Sequence, residues 1–358
     1  MATRTPLILN QIAGRIEELA VGDTLSGSII EAYGGKNRII NGDFRFWQRG
    51  TNFPAATGQR YTADRWQANG IGSTVWVQRV DVPPGGGTVP MLHNSKYMLQ
   101  AVVNSVAGAG NLALIQQRIE GVRPLSSKTL TVSFKAKASV ANFKVGVEFQ
   151  QSFGNGGSAG VDSLNASVTL GTDWQQFSVQ IAVPSVSGKT ITDNDYLQLS
   201  FWLDAGANFA GRSANAGQKS GTVSITEVQV EEGAVMTPFE YRADAVELLL
   251  CRRYYRKSYM QSDAPGTFTN AGRYTAGNGA NTNNINRFAV LMGDPMRAPP
   301  SVTVYGAPSG TAGVVSQADG SNVTAIVEAI GDASFNVGWN NNNGQWGGWF
   351  QWTADAEL

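Results

Sequence analysis

Cysteine and histidine are almost absent: the chain of 358 residues has one of each, Cys251 and His93. A single cysteine rules out an internal disulfide, so the fold must hold without covalent staples. One histidine and one cysteine cannot build a conventional structural zinc site, which takes four N or S ligands. A nucleophilic triad would have only His93 to rest on, and the surrounding "PMLHNSKYML" carries no nucleophile motif. Charge is scarce as well. Asp, Glu, Lys and Arg make up 15% of the chain, and 27 cations balance 27 anions, so no net field draws it toward a polyanion, and nucleic acid is not expected as a partner. Nor does any uninterrupted apolar run approach the roughly 18 residues that span a bilayer, so membrane insertion is not expected. The start, "MATRTPLILNQIAGRIEEL", has no apolar signal core or small-residue cleavage site, which points to a chain made in the cytoplasm without secretory processing.

What is present favours strands. The 42 glycines, with frequent Asn, Ser and Thr, suit tight turns between strands. "TLTVSFKAKA" puts Leu130, Val132, Phe134, Ala136 and Ala138 on one face and polar residues on the other, the period of a half-buried strand. "FKVGVEF", "QFSVQIAV" and "YLQLSFWL" repeat the pattern. In "TVSITEVQVEEG" the apolar register slips from Val223 and Ile225 to Val228 and Val230, which predicts a β-bulge near Thr226 and Glu227. Strands with one apolar face each bury those faces by sheet-on-sheet packing, so residues 36–242 are read as a β-sandwich in an all-β chain.

Three further segments follow from composition. Residues 1–35 are too short and too broken by glycine for a core of their own. They are read as an extended arm, either a loose tail or a segment that docks through Leu7, Ile8, Leu9 and Ile16. Residues 243–258, "ADAVELLLCRRYYRKS", read as one linking helix with a capping box of Asp244 and Glu247, and with Cys251 as a buried small hydrophobe. Residues 259–358 return to strands and turns as a smaller β domain, in which "NVGWNNNNGQWGGWFQW" reads as a hairpin.

Candidate recognition residues fall in two groups. On "YLQLSFWLD" the face opposite the core carries Tyr196, Gln198, Ser200 and Trp202, whose rings suit the C–H side of a sugar; the alternative is a face covered by a loop or subunit. Trp339, Asn341, Trp346 and Trp349 combine aromatic platforms with amides that can pair with sugar hydroxyls. For these the alternative is the core of a small domain or a subunit seam. The stretch from Asn37 to Phe53, "NRIINGDFRFWQRGTNF", and "YTADRW" after it pack aromatic rings among Arg and Asp; closure of the core is favoured over a ligand site.

"NGDFRFWQRGTNF" with "YTADRW" resembles the opening signature of a β-sandwich module in tail-fibre and related virion proteins of tailed bacteriophages. "QRIEGVRPLSSKTLTVSFKAKA", "VQVEEGAVMTPFEYR", "ELLLCRRYYRKS", "PMRAPPSVTVY" and the terminal "WTADAEL" match in the expected order, so the resemblance covers most of the chain. It implies a jelly-roll similar to carbohydrate-binding modules, in a non-enzymatic virion component. Such a component would be a homotrimeric fibre or spike that meets a host-surface glycan, with the residues 1–35 arm attaching to other virion proteins and the C-terminal domain as its tip. Jelly-roll sugar binders often hold a structural calcium, which nominates Asp43 with Glu227 or Glu231 as ligands; no other cofactor is implied. Two other functions stay open: a free glycan-binding module of a secreted carbohydrate-active protein, and a capsid decoration with no receptor role. A glycan-cleaving tailspike is disfavoured, because no repeat of 20 to 30 residues is apparent.

Overall fold

The computed structural model describes residues 7–10, 15–18, 35–82, 95–277, 285–340 and 347–358. Two short antiparallel strands, β1 (Leu7–Asn10) and β2 (Arg15–Glu18), pair from Leu7↔Glu18 to Asn10↔Arg15. The rest of the expected arm up to residue 34 lies outside the described residues, as do the side chains of Leu7, Ile8, Leu9 and Ile16, and His93.

The larger domain is a jelly-roll β-sandwich of β3 (Asn52–Tyr61), β4 (Gln67–Asp81), β5 (Tyr97–Asn104), β6 (Leu112–Glu120), β7 (Thr129–Ala138), β8 (Phe143–Ser152), β9 (Val161–Leu170), β10 (Gln175–Ala182), β11 (Tyr196–Ala205) and β12 (Gly221–Glu232). The order is β10-β7-β12-β5-β4-β6-β11-β8-β9 with β3 on β4, and β9 returns to β10, so the sheet nearly closes. β4 serves both halves: Gln67–Ile71 pair with β6, and Thr74–Asp81 with β5.

The apolar face read from the sequence is the buried one, although Thr131 and Ser133 on the other face of β7 are buried as well. Leu130, Val132, Phe134, Ala136 and Ala138 are all buried, and so are Phe143, Val145, Val147 and Phe149. Each large apolar side chain so buried contributes on the order of 1.5–3 kcal/mol before the entropy cost of ordering it. Phe134 meets Phe201 edge-on at 5.0 Å, and Trp66 lies 6.3 Å from Phe201. The bulge sits where the register slip placed it: pairing with β7 jumps from Thr226 to Gln229, and Glu227 has a φ of 52°.

The linking helix is shorter than 243–258. α1 (Asp244–Arg252) begins without a side-chain cap, because its N-cap is Ala243, while Asp244 pairs with Arg45 and the Glu247 carboxylate accepts the Asn41 N–H. Both acids therefore serve tertiary contacts instead of a capping box. Past Arg252 the chain turns into β13 (Tyr255–Lys257), which enters a sheet of the C-terminal domain; the tyrosines and the Lys257 ammonium find partners there that a continued helix would deny them. Cys251 is buried, and burial pushes its thiol well above the usual range.

The C-terminal domain comprises β13, β14 (Tyr274–Gly277), β15 (Ile285–Leu291), β16 (Ser301–Gly306), β17 (Val314–Gln317), β18 (Asn322–Thr324), β19 (Ile326–Glu328), β20 (Ser334–Asn340) and β21 (Gly347–Asp355). β21 pairs with β13, β14, β16 and β17, while β20 lies between β15 and β19 in a second sheet. The expected hairpin of "NVGWNNNNGQWGGWFQW" is therefore not formed: its two strands belong to different sheets. Their large side chains, Phe335, Val337 and Trp339 from β20 and Phe350 and Trp352 from β21, face one another as a core instead of sharing a ladder.

Candidate functional site

The aromatic and charged stretch that opens the sandwich closes on itself. Phe44, Trp47 and Trp66 lie in the main core, Phe44 and Trp66 with ring centroids 5.1 Å apart. The Trp66 indole N–H donates to the Asn41 carbonyl at 3.0 Å, and that of Trp47 to Phe44 at 2.7 Å, so neither buried ring leaves a donor unmet. Two arginines of the stretch reach the other domain. Arg65 lies 3.4 Å from the Tyr254 ring centre and pairs with Glu357; Arg49 lies 3.7 Å from that of Tyr255 and pairs with Asp355 and Glu357. Together they form a clasp between the sandwich and the last strand.

The three carboxylates nominated for calcium do not converge. Asp43 sits 2.6 Å from Arg45 Nε, Glu227 pairs with Lys135 and accepts from Ser95, and Glu231 accepts from Gln229 and Thr237. Each is spent on a protein partner. Among the described residues no group of three or more His, Cys, Asp or Glu could hold a metal ion. Burial raises Asp43 to about 6, nearby Glu247 pushes the same way, and Arg45 opposes. Burial likewise lowers Lys257 to about 8, although its ammonium donates to the carbonyls of Gln48, Gln261 and Asp263.

The outward side of β4, β6, β11 and β8 holds a groove of about 330 Å³. Strand register sets out its floor. Gln67 opposes Gln116, Gln116 opposes Ser200, and Gln198 lies between Arg118 and Gln150. Gln116 donates through its amide to Gln67, Gln198 donates to Gln116 at 3.1 Å and to Ser200 at 3.2 Å, and Arg118 donates to Gln198 at 3.1 Å. An outward face of a sandwich would ordinarily carry solvated charge; here it carries a row of largely buried amides locked to one another. At one end Tyr196 stands half-buried with the Arg118 guanidinium 4.5 Å from its ring centre. At the other end the wall is Trp202, Phe209 and Arg212.

Trp202 is not a platform. It is 1% exposed, with Phe209 against its ring at 5.5 Å and the Arg212 guanidinium at 5.2 Å. Glu148 fixes both partners: it accepts from the Trp202 indole at 2.9 Å and from Arg212 at 2.8 and 3.0 Å. Gly146, opposite Trp202, lets this cover sit close, since a Cβ there would collide with the Ser213 carbonyl. Thus Tyr196 and Gln198 of the sequence reading line the groove, and Trp202 forms its buried wall.

The C-terminal candidates separate. Trp339 is 0% exposed and packs against Gly348 and Phe350, so its ring is core and offers no face to a ligand. Trp349 is half-buried beneath Arg273, 4.9 Å from its ring centre. Asn341 and Trp346 lie outside the described residues. The sequence reading did not single out Gln67, Gln116, Arg118, Glu148 or Arg212. The signal for part of it was there in "LIQQRIE", where Gln116 and Arg118 share the face opposite Ile115 and Ile119.

No protein-family model matches the chain, and no curated protein matches it. Solved structures do show a likeness in fold. The family 11 carbohydrate-binding module from Clostridium thermocellum, solved with a mixed-linked tetrasaccharide, is 13% identical over 51% of this chain and 99% of that one, with a TM-score of 0.32. The CBM22-1 xylan-binding domain from Paenibacillus barcinonensis is 15% identical over 53% and 99%, at 0.30. The enzymatically active domain of tailspike protein 4 from bacteriophage CBA120 is 16% identical, at 0.33; the match takes 55% of this chain and 22% of that one.

Proposed function

We propose that the chain is a non-enzymatic structural component of a tailed-phage particle that binds a host-surface glycan through the groove on β4, β6, β11 and β8. The observation that carries the binding is the pair of groove-lining amides Gln116 and Gln198, locked to each other and to Gln67 behind them, ending at the Tyr196 ring. Amides supply both donors and acceptors, which sugar hydroxyls need in pairs, and a ring edge supplies apolar contact for the C–H side. Because the amides already hold one another, little side-chain entropy is lost when a ligand lands on them. The virion role is supported by the motif series from Asn41 to Leu358, and the proposed assembly is a homotrimer attached through its N-terminal arm, with no metal or other cofactor. Isothermal titration against a panel of bacterial-surface oligosaccharides tests the groove. Tyr196→Ala should weaken binding by about tenfold or more at little-changed melting temperature, and Gln198→Ala by as much with some loss of stability, because it leaves Gln116 and Arg118 short of a partner; unchanged affinity in both would refute the site. Native mass by light scattering should approach three times the 38.1 kDa chain. A monomer would instead favour a free glycan-binding module.

A further inference from the structure

Beyond Tyr196 the groove does not stop at the sandwich. A second hollow of about 300 Å³ opens at the junction with the C-terminal domain, and Arg118 and Tyr196 line both. Its far wall is Arg297, from the C-terminal domain, with Asn155 and Asn194 along its rim. Each hollow alone lies at the lower end of the roughly 300–1,000 Å³ usual for ligand sites, and the two joined lie well inside that range.

The second hollow differs from the first in charge. Arg297 donates to the Ala356 carbonyl at 2.9 Å, to the Asn194 side chain at 2.8 Å and to the Glu357 carbonyl at 3.3 Å. Arg118 donates to Gln198 and to a Leu358 main-chain oxygen. A guanidinium has five N–H donors, so both keep donors without a partner among the described residues. No Asp or Glu side chain there forms an ion pair with either. The acid in the wall, Glu357, is already taken by Arg49 and Arg65, and Asp195 beside Asn194 is turned to the Val122 amide at 2.6 Å. Glu120 is near enough for its charge to interact with Arg297, but its carboxylate is held by Arg253 and Tyr254, so even with a terminal carboxylate on Leu358 set against Arg118 the Arg297 charge is only partly offset. Two guanidiniums held at fixed positions by the Gln198 and Asn194 side chains and by main-chain oxygens, facing a hollow large enough for a ligand, form a carboxylate receptor waiting for its anion.

We infer that the junction hollow is a second subsite, which takes a uronic-acid residue of the same glycan whose neutral part lies on the amide row. The inference rests on the glycan reading of the groove and adds the class of sugar. It makes the recognised chain acidic and makes the C-terminal domain a contributor to binding.

Short hexuronate oligomers (galacturonate, glucuronate, mannuronate and guluronate), each beside its carboxyl-reduced twin, provide the test by isothermal titration. At least one acid form should bind about tenfold more tightly than its neutral twin at about 50 mM salt, and the gap should narrow toward about 500 mM as screening grows. Arg297→Gln should erase the gap between acid and neutral twins, while Arg297→Lys should keep part of it. Because Arg297 also supports the last strand, the salt dependence of the unmodified protein serves as a second reading that needs no variant. Equal affinity for acid and neutral twins would overturn the acidic subsite and leave the groove standing; absence of binding by every twin would remove both.

Discussion

In the clasp, Arg65 and Arg49 lie on Tyr254 and Tyr255 and spend their charge on Glu357 and Asp355; at the end of the groove, Arg118 lies on Tyr196 with no acidic side chain paired to it among the described residues. The two arrangements use the same residue types at similar stacking distances. What separates them is the counter-charge. Where acid and base meet under cover, the cluster closes an interface; where the base is fixed only by neutral acceptors, its charge is available to something arriving from solvent. Aromatic and arginine content alone does not mark a binding site.

The sharpest way to break this comparison is to remove one arginine from each side. Arg65→Ala leaves Glu357, whose side chain is 4% exposed, only its longer contact to Arg49, and should cost about 3 kcal/mol in urea unfolding, the lower end of what breaking a buried ion pair costs. Arg118→Ala should cost less, about 1–2 kcal/mol, because it leaves a neutral amide of Gln198 and not a buried acid short of a partner, and its loss should show in glycan titrations as well. Equal costs would erase the distinction.

A second, somewhat smaller effect concerns the acid next to the clasp. The Asp43 carboxyl, raised by burial to about 6 from an ordinary 3.8, binds its proton more tightly in the folded chain than in the unfolded one. Its contribution to stability is therefore fully present below about pH 4 and is lost as pH rises through about 6. Asp43→Asn stays neutral at every pH, so it should be the more stable form at pH 7 to 8 by up to about 3 kcal/mol, with the difference vanishing near pH 4. Melting curves across that range decide it, and a destabilised variant at pH 8 would show that the Arg45 pair outweighs burial.

The smallest effect tests the C-terminal aromatics. Trp349→Ala should cost about 0.5–1 kcal/mol for the lost Arg273 stack and leave glycan affinity unchanged, while Trp339→Ala should cost about 3–5 kcal/mol as a core cavity. A loss of binding on Trp349→Ala would move recognition to the tip.

The sandwich was legible because period-2 alternation survives at nearly every core strand, and even the one-residue slip at Glu227 could be read as a bulge. The groove was only half legible. Tyr196 and Gln198 could be placed on an outward face, but no pattern along one strand shows that β4, β6 and β11 stand side by side, so the amide row was invisible. Trp202 misled for a related reason: its cover, Phe209 and Arg212, comes from a loop whose return over the sheet leaves no periodic mark. In the C-terminal domain "NNNNG" has the composition of a turn, yet Gly348 packed beneath Trp339 puts the flanking strands in separate sheets.

The clasp also has a consequence in time. Arg65 and its partner Glu357 are 292 residues apart in sequence, so during synthesis, where domains fold roughly in order of emergence, the sandwich must wait for the last few residues before its buried guanidinium is neutralised. A chain cut short before Asp355 would carry a finished jelly-roll with an unbalanced charge in its flank. The sandwich thus reaches full stability only once β21 and the Glu357 that follows it are in place.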